Sequence, residues 1–240
     1  MMTDPIPLAL NRALDATALA KAFARDGRVQ IADFLEIRAA EALHAMLRAR
    51  DDWVHVVNSG EKTFELSRPA RAAMSADQRE ALDTAVYAGA RSGFQYRYET
   101  IRVPDAAAAR AASDDPLAAF AAWLSSGAAR DLLRQVTGAA GIDFADAQAT
   151  AYAPGDFLTG HDDDVVGKHR HAAYVFGLTP VWRTEWGGLL LFHGHAVHGY
   201  APAFNTLNLF AVPQVHSVSE VTRAAAYRRY SITGWLRSAQ

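Results

Sequence analysis

The chain has 240 residues, half of them hydrophobic, with 26 acidic against 24 basic side chains and no cysteine. That length carries one well-formed core, and a formal charge of -2 leaves no broad basic field to hold a nucleic acid or an anionic membrane. Zero cysteine excludes disulfides, thiolate-bound zinc, iron–sulfur clusters and thiol nucleophiles.

Residues 1–20, "MMTDPIPLALNRALDATALA", lack the basic segment and apolar core of a signal peptide. Residues 15–27 have helical period, with Gly27 as the stop. "RVQIADFL" (28–35) alternates as a half-buried strand does, and 36–50 returns to helical period. Residues 53–66 read as a hairpin turning at Asn58-Ser59-Gly60. Ser75 and Gln78 have capping-box spacing, which predicts a helix to about Arg91. "FQYRYETIRV" (94–103) alternates again, an alanine-rich loop fills 104–115, and Pro116 opens a helical stretch broken near Ser126-Gly127.

From about residue 146 short apolar runs alternate with turn-rich segments: "AQATAYA", "AAYVFGL", "GGLLLF", "TLNLFAVP", "RYSITGWL". Such spacing predicts a β-sandwich or barrel. The early strands 28–35 and 94–103 have no sheet of their own, so they are expected to join the late one. The expectation is a single α+β domain over 1–240. In it, 1–145 supplies helical support and a few core strands, and no apolar run reaches the roughly 18 residues of a membrane span. A cytoplasmic protein follows, with homodimerisation through the N-terminal helices left open.

Seven of the nine histidines fall between His161 and His216. Histidine is the commonest protein metal ligand, although loops also collect histidines. In "YAPGDFLTGHDDDVVG" (152–167) an extended 157–164 would put His161 and Asp163 on one face and Asp162 on the other. The bland alternative is a solvated acidic loop. A second histidine would complete a two-histidine, one-carboxylate set, which leaves positions open on one side of Fe(II). The candidates are His169, His171, His193, His195, His198 and His216. His216 is favoured because it borders an apolar strand rather than the hairpin tip "HGHAVHG".

These pieces together, His-x-Asp, Gly187-Gly188, the His216 strand and "RYSITGW", resemble the catalytic core of the 2-oxoglutarate- and Fe(II)-dependent dioxygenases over about 146–237. The prolyl-4-hydroxylase-like branch, including the ribosomal prolyl hydroxylases and bacterial relatives, is the most similar. The resemblance implies a double-stranded β-helix (jelly-roll) core over 146–237. It implies His161, Asp163 and His216 as iron ligands, Arg229 as the partner of the distal carboxylate of 2-oxoglutarate, and Tyr152 in the cosubstrate pocket. Arg228 is the decoy, since neighbouring strand residues face opposite ways. Some relatives carry a second cosubstrate tyrosine at the position of Gly177, with Tyr174 nearby but out of register. The implied activity is C–H hydroxylation with decarboxylation of 2-oxoglutarate to succinate, ascorbate serving as accessory reductant. The implied partner is a proline-containing protein or peptide. The alternatives are a free amino acid or small-molecule hydroxylase, a non-enzymatic sensor of a metal or small acid, and a cupin-like metal enzyme in which Arg229 has no task.

Overall fold

A computed structural model describes residues 6–238, so the first five residues of the N-terminal stretch read above lie outside the described residues. Helix α1 (Ala16–Asp26) starts where the Asp15 carboxylate accepts the Ala18 N–H, and Gly27 closes it. Strand β1 (Arg28–Ile31) is shorter than the expected 28–35. Asp33 turns the chain at φ 49°, and Asn205 takes up the backbone of Phe34 and Leu35. Their apolar side chains are fully buried, but off the ladder.

Helix α2 (Ile37–Ala49) is followed by the hairpin β2 (Val54–Ser59) and β3 (Lys62–Ser67). Helices α3 (Arg68–Ala73) and α4 (Ala76–Ser92) come next, α4 with the reciprocal Ser75–Gln78 capping box that the sequence predicts. After β4 (Tyr96–Arg102) the expected loop contains a short helix, α5 (Ala107–Ala111). Alanine favours helix, and buried Arg110 ties it down by donating to the Pro104 and Ala145 carbonyls. Helices α6 (Pro116–Leu124) and α7 (Gly127–Thr137) are separated at Ser125-Ser126.

The remaining strands are β5 (Phe144–Ala145), β6 (Gln148–Tyr152), β7 (Phe157–His161), β8 (Arg170–Leu178) and β9 (Leu190–Phe192). They are followed by β10 (His198–Tyr200), β11 (Phe204–Ala211), β12 (His216–Val218) and β13 (Arg229–Arg237). All join one curled antiparallel sheet whose main path runs β1-β11-β8-β13-β6-β4-β7-β12-β9-β10. The early strands do join the late ones: β1 pairs with β11, and β4 with β6 and β7. This is the α+β, jelly-roll class of the sequence reading, built as a continuous half-barrel.

Alternation gives the sheet two faces. Tyr174, Phe176, Leu207, Leu209, Ile232 and Leu236 meet α1, α2, α6 and α7 in the main core. Phe120 stacks on Phe176 with ring centroids 5.7 Å apart, and Phe34 stands edge-on to the same ring at 5.6 Å. Burying each such side chain contributes about 1.5–3 kcal/mol. The opposite, concave face carries Tyr152, Ala173, Val175, Arg229, Thr233 and Trp235 and lines a cavity. Among the described residues no helix is long and apolar enough to cross a membrane.

Gly177 on β8 shows why one position stays bare. The β11–β8 register shifts between Phe204 and Thr206. The Ala203 carbonyl oxygen then stands against the place where a Cβ on Gly177 would sit, too close for a side chain without a backbone shift. Gly177→Ala should therefore cost about 1–3 kcal/mol, a fall in Tm of roughly 3–10 °C. Thermal unfolding of the variant checks this.

Candidate metal centre

A tight turn carries the chain from β6 into β7. Asp156 Oδ2 accepts the Ala153 N–H at 2.8 Å, and the Asp156 N–H returns to the Ala153 carbonyl. Strand β7 stops at His161, earlier than the extended 157–164 of the sequence argument. Asp163 lies in the loop beyond, where Arg170 donates to its carbonyl at 2.8 Å. Its carboxylate still turns back toward His161. Strand β12 pairs with β7 so that His216 stands directly opposite His161, with ring centroids 4.2 Å apart.

The result is a convergent donor set. His161 Nε2 is 3.6 Å from Asp163 Oδ1, and His216 Nε2 is 3.5 Å from Asp163 Oδ2. The three donor atoms all lie within 4.8 Å of one another. Both Nδ1 atoms sit on backbone carbonyls, His161 on Thr159 at 3.0 Å and His216 on Gln214 at 2.8 Å. Each imidazole thus donates outward from Nδ1 and turns an unprotonated Nε2 inward. Burial, and then His161, lower the His216 pKa against the pull of Asp163, which favours the neutral ligand form. Separations near 3.5 Å are too long for hydrogen bonds and suit atoms that share one cation. Two neutral imidazoles and a carboxylate fit a divalent ion of the Fe(II) class.

The other histidines stay out of the cluster. His171 Nε2 bonds Ser238 Oγ and His193 Nε2 bonds Ser217 Oγ. His169, His195 and His198 are exposed.

Beside the cluster lies a cavity of about 510 Å³, running along β13 from Arg229 to Arg237. Arg229 is 4% exposed and faces Tyr152 across the β13–β6 ladder, its guanidinium 5.0 Å from that ring. Burial lowers its pKa, Tyr152 acting weakly the other way, but a guanidinium remains protonated. No carboxylate among the described residues comes within ion-pair distance of it. A buried cation without a counter-ion is costly, and it fits an anionic ligand with a planar, two-oxygen end. Arg228 points to the other face and pairs with Glu99 at 2.9 Å.

Gly177 gives the cavity no side chain, because the Ala203 carbonyl fills that space. Tyr174 is at the far end, its hydroxyl donating to the Asp146 carbonyl at 2.6 Å. What the sequence reading missed is an aromatic row. Tyr98 stacks on Tyr152 at 5.1 Å, Tyr96 leans tilted against Tyr98 at 5.7 Å, and Phe94 tilted against Tyr96 at 5.6 Å. Phe94, 47% exposed, ends the row at the mouth, 5.3 Å from the His161 ring. Burial pushes the Tyr98 phenol up to about 12, so it stays a hydrogen-bond donor. The signal was aromatics at every second position of "FQYRY".

At the opposite end, Asp146 pairs with Arg237 at 2.7 Å. Burial raises its pKa to about 6 despite Arg237, with Asp105 adding to the rise. Between the ordinary carboxylate value and about 6, the folded state holds a proton that the unfolded chain has released. The contribution of this group to stability is therefore present below about pH 4 and lost as pH rises to about 6. Replacing Asp146 by Asn should flatten that stretch of the stability–pH curve, measured by denaturant unfolding.

A family model described as "2OG-Fe(II) oxygenase superfamily" matches residues 147–237. No curated protein matches the sequence. Among solved structures, a prolyl-4-hydroxylase from Pseudomonas putida superposes with TM-score 0.62 at 20% identity, over 94% of this chain and 100% of that one. A prolyl hydroxylase from Trichoplax adhaerens, in complex with a hypoxia-inducible-factor degradation-domain peptide, gives 0.61 at 17% identity, over 93% and 89%. The α-ketoglutarate-dependent epimerase SnoN of nogalamycin biosynthesis gives 0.58 at 14% identity, over 93% and 83%. At these identities the superpositions establish the fold, which hosts more than one reaction.

Proposed function

We propose, from the match of residues 147–237 to the 2OG-Fe(II) oxygenase family model, that the protein is such an oxygenase and hydroxylates a prolyl residue of a protein or peptide. The observation that carries this reading is a buried, unpaired Arg229 sharing one cavity with the His161–Asp163–His216 donor set. His161, Asp163 and His216 would hold Fe(II), and Arg229 and Tyr152 would receive 2-oxoglutarate. Bound together, iron and 2-oxoglutarate supply the oxidation: one oxygen atom of O₂ goes to the substrate C–H, the other to succinate, and carbon dioxide leaves.

The task of the chain itself is positional. Arg229 would take the distal carboxylate through two parallel N–H donors, which fixes both its place and its plane. Tyr98 would do what a tyrosine at Gly177 does in some relatives, reaching the cosubstrate from β4 beside Tyr152. The outward Nδ1 hydrogen bonds keep both imidazoles in the ligating tautomer. The apolar side chains of Leu158, Leu190, Phe210 and Val218 line the cavity and would limit water around the bound cosubstrate.

The prolyl assignment rests on the aromatic row and on the similar proteins. A pyrrolidine ring packs well on aromatic faces, and Phe94, Tyr96 and Tyr98 run from the mouth to Tyr152. Two of the similar structures are prolyl hydroxylases, one with a peptide bound. Since β1 and β4 are strands of the same sheet as β6–β13, we read 1–240 as one domain. The cysteine-free composition is compatible with a reducing cytoplasm.

The test is turnover of 2-oxoglutarate with Fe(II), ascorbate and a library of proline-containing peptides, reading succinate and a one-oxygen mass gain on the peptide. Succinate formation driven only by non-peptide substrates would move the protein to small-molecule hydroxylation. No succinate under any condition, with metal bound, would remove the oxygenase reading.

A further inference from the structure

A second cavity, about 490 Å³, lies on the opposite face of the sheet, between β2, β4, α3, α4 and the turn before β7. Alternation along the strands separates it from the metal centre: Tyr98 and Arg229 face the first cavity, Glu99 and Arg228 face this one. Its lining carries five arginines (68, 71, 79, 97, 228) against three carboxylates (83, 99, 156). In a chain of net charge -2 that excess is local.

The pairing is lopsided. Glu99, 1% exposed, is among the described residues the only carboxylate in ion-pair reach of three guanidiniums: Arg68 at 2.8 Å, Arg228 at 2.9 Å and Arg71 at 3.3 Å. Burial would raise its pKa, but Arg68, Arg228 and Arg71 hold it below the ordinary value, so it is ionised and two positive charges remain over. Arg97 is matched by Asp83 and Asp156. Arg79 donates to the Ala72 and Met74 carbonyls and has no acidic partner among the described residues.

A second observation is independent of the charge excess. His55, on β2, is 1% exposed, and neither ring nitrogen has a hydrogen-bond partner; Nε2 stops 3.6 Å from Asp156 Oδ1. A buried imidazole with both nitrogens unmatched is costly. It lines the same cavity as the surplus arginines.

We propose that this cavity binds a small, multiply charged oxyanion, held by Arg71, Arg79 and Arg228 with His55 as a further donor. Phosphate-type and polycarboxylate anions share the required chemistry: several oxygens, more than one negative charge, and a fit to guanidinium forks.

Isothermal titration of the full-length protein with inorganic phosphate, and separately with tricarballylate, tests it. The expected result is one saturable site for at least one of the two. Its affinity should fall at least tenfold in the Arg71→Gln/Arg79→Gln double variant and stay within twofold in Arg229→Gln. Which anion saturates decides between the two sources. Both replaced side chains reach solvent, and a far-ultraviolet spectrum and Tm like the parent's certify the fold. The His55 ring resonances should shift on saturation. Absence of saturable binding of either anion by the folded protein overturns the proposal. So does binding that Arg229→Gln abolishes and the double variant keeps, which would put the anion in the first cavity.

Discussion

Replacing Asp163 by Ala should abolish the proposed turnover, with kcat/KM falling roughly 10³-fold or more, while Asp162→Ala stays within about twofold. Changes in groups that merely support a ligand already cost 10–100-fold, and removing the ligand itself takes away the sole carboxylate of the set. The two aspartates are neighbours in one loop and carry the same side chain, so residue type and sequence position cannot separate them. Geometry does. Asp163 is 6% exposed with both oxygens turned to histidine Nε2 atoms. Asp162 is exposed and accepts the Asp164 N–H. Anaerobic addition of Fe(II) and 2-oxoglutarate should give a weak visible charge-transfer band that requires both, survives Asp162→Ala and is lost in Asp163→Ala. A full-strength band in Asp163→Ala would falsify the ligand assignment, and equal losses in both variants would return the segment to a solvated acidic loop.

What was legible in the sequence follows from the range of the interactions. Helices announced themselves through local rules: Asp15 and Gly27 bracket α1, and Ser75 with Gln78 caps α4. The strands were legible through alternation, and the joining of β1 and β4 to the later sheet through the lack of other partners for them. His161, Asp163 and His216 could be picked out by residue type and spacing, and the structure brings their donor atoms together. Asp163 reaches the cluster by a different route from the one alternation predicts. An extended 157–164 would carry its side chain there directly, whereas the strand ends at His161 and the loop returns the carboxylate. The aromatic row escaped because "FQYRY" reads equally well as a core strand; only the pairing of β4 with β6 sets Tyr98 on Tyr152. Gly177 was a gap in a motif when seen in sequence. The Ala203 carbonyl that requires it lies 26 residues on, across a register shift that no local pattern encodes.

Arg229→Leu and Arg228→Leu should have opposite consequences, though the residues are neighbours on β13. Arg229 lies buried in the cavity with an aromatic face beside it and no carboxylate partner. Removing it should raise KM for 2-oxoglutarate about 10²–10³-fold, the roughly 3–4 kcal/mol of a buried charge-assisted pair. The same change removes a desolvated, unpaired cation from the ligand-free fold, so Tm without ligands should hold or rise. Arg228 instead helps to hold the buried Glu99 carboxylate, which keeps Arg68 and Arg71 when Arg228 is gone. Its loss should cost about 1–2 kcal/mol of stability and leave KM for 2-oxoglutarate within about twofold. Steady-state kinetics and thermal unfolding of the two variants, side by side, read both effects. An Arg229→Leu enzyme with unchanged KM would leave that guanidinium without a task and favour a metal enzyme that uses no 2-oxoglutarate. Loss of stability in Arg229→Leu together with an unchanged KM would make it a packing residue. Only the crossed pattern, affinity lost at one residue and stability at the next, is what a strand with one face on the cosubstrate and the other on a buried carboxylate requires.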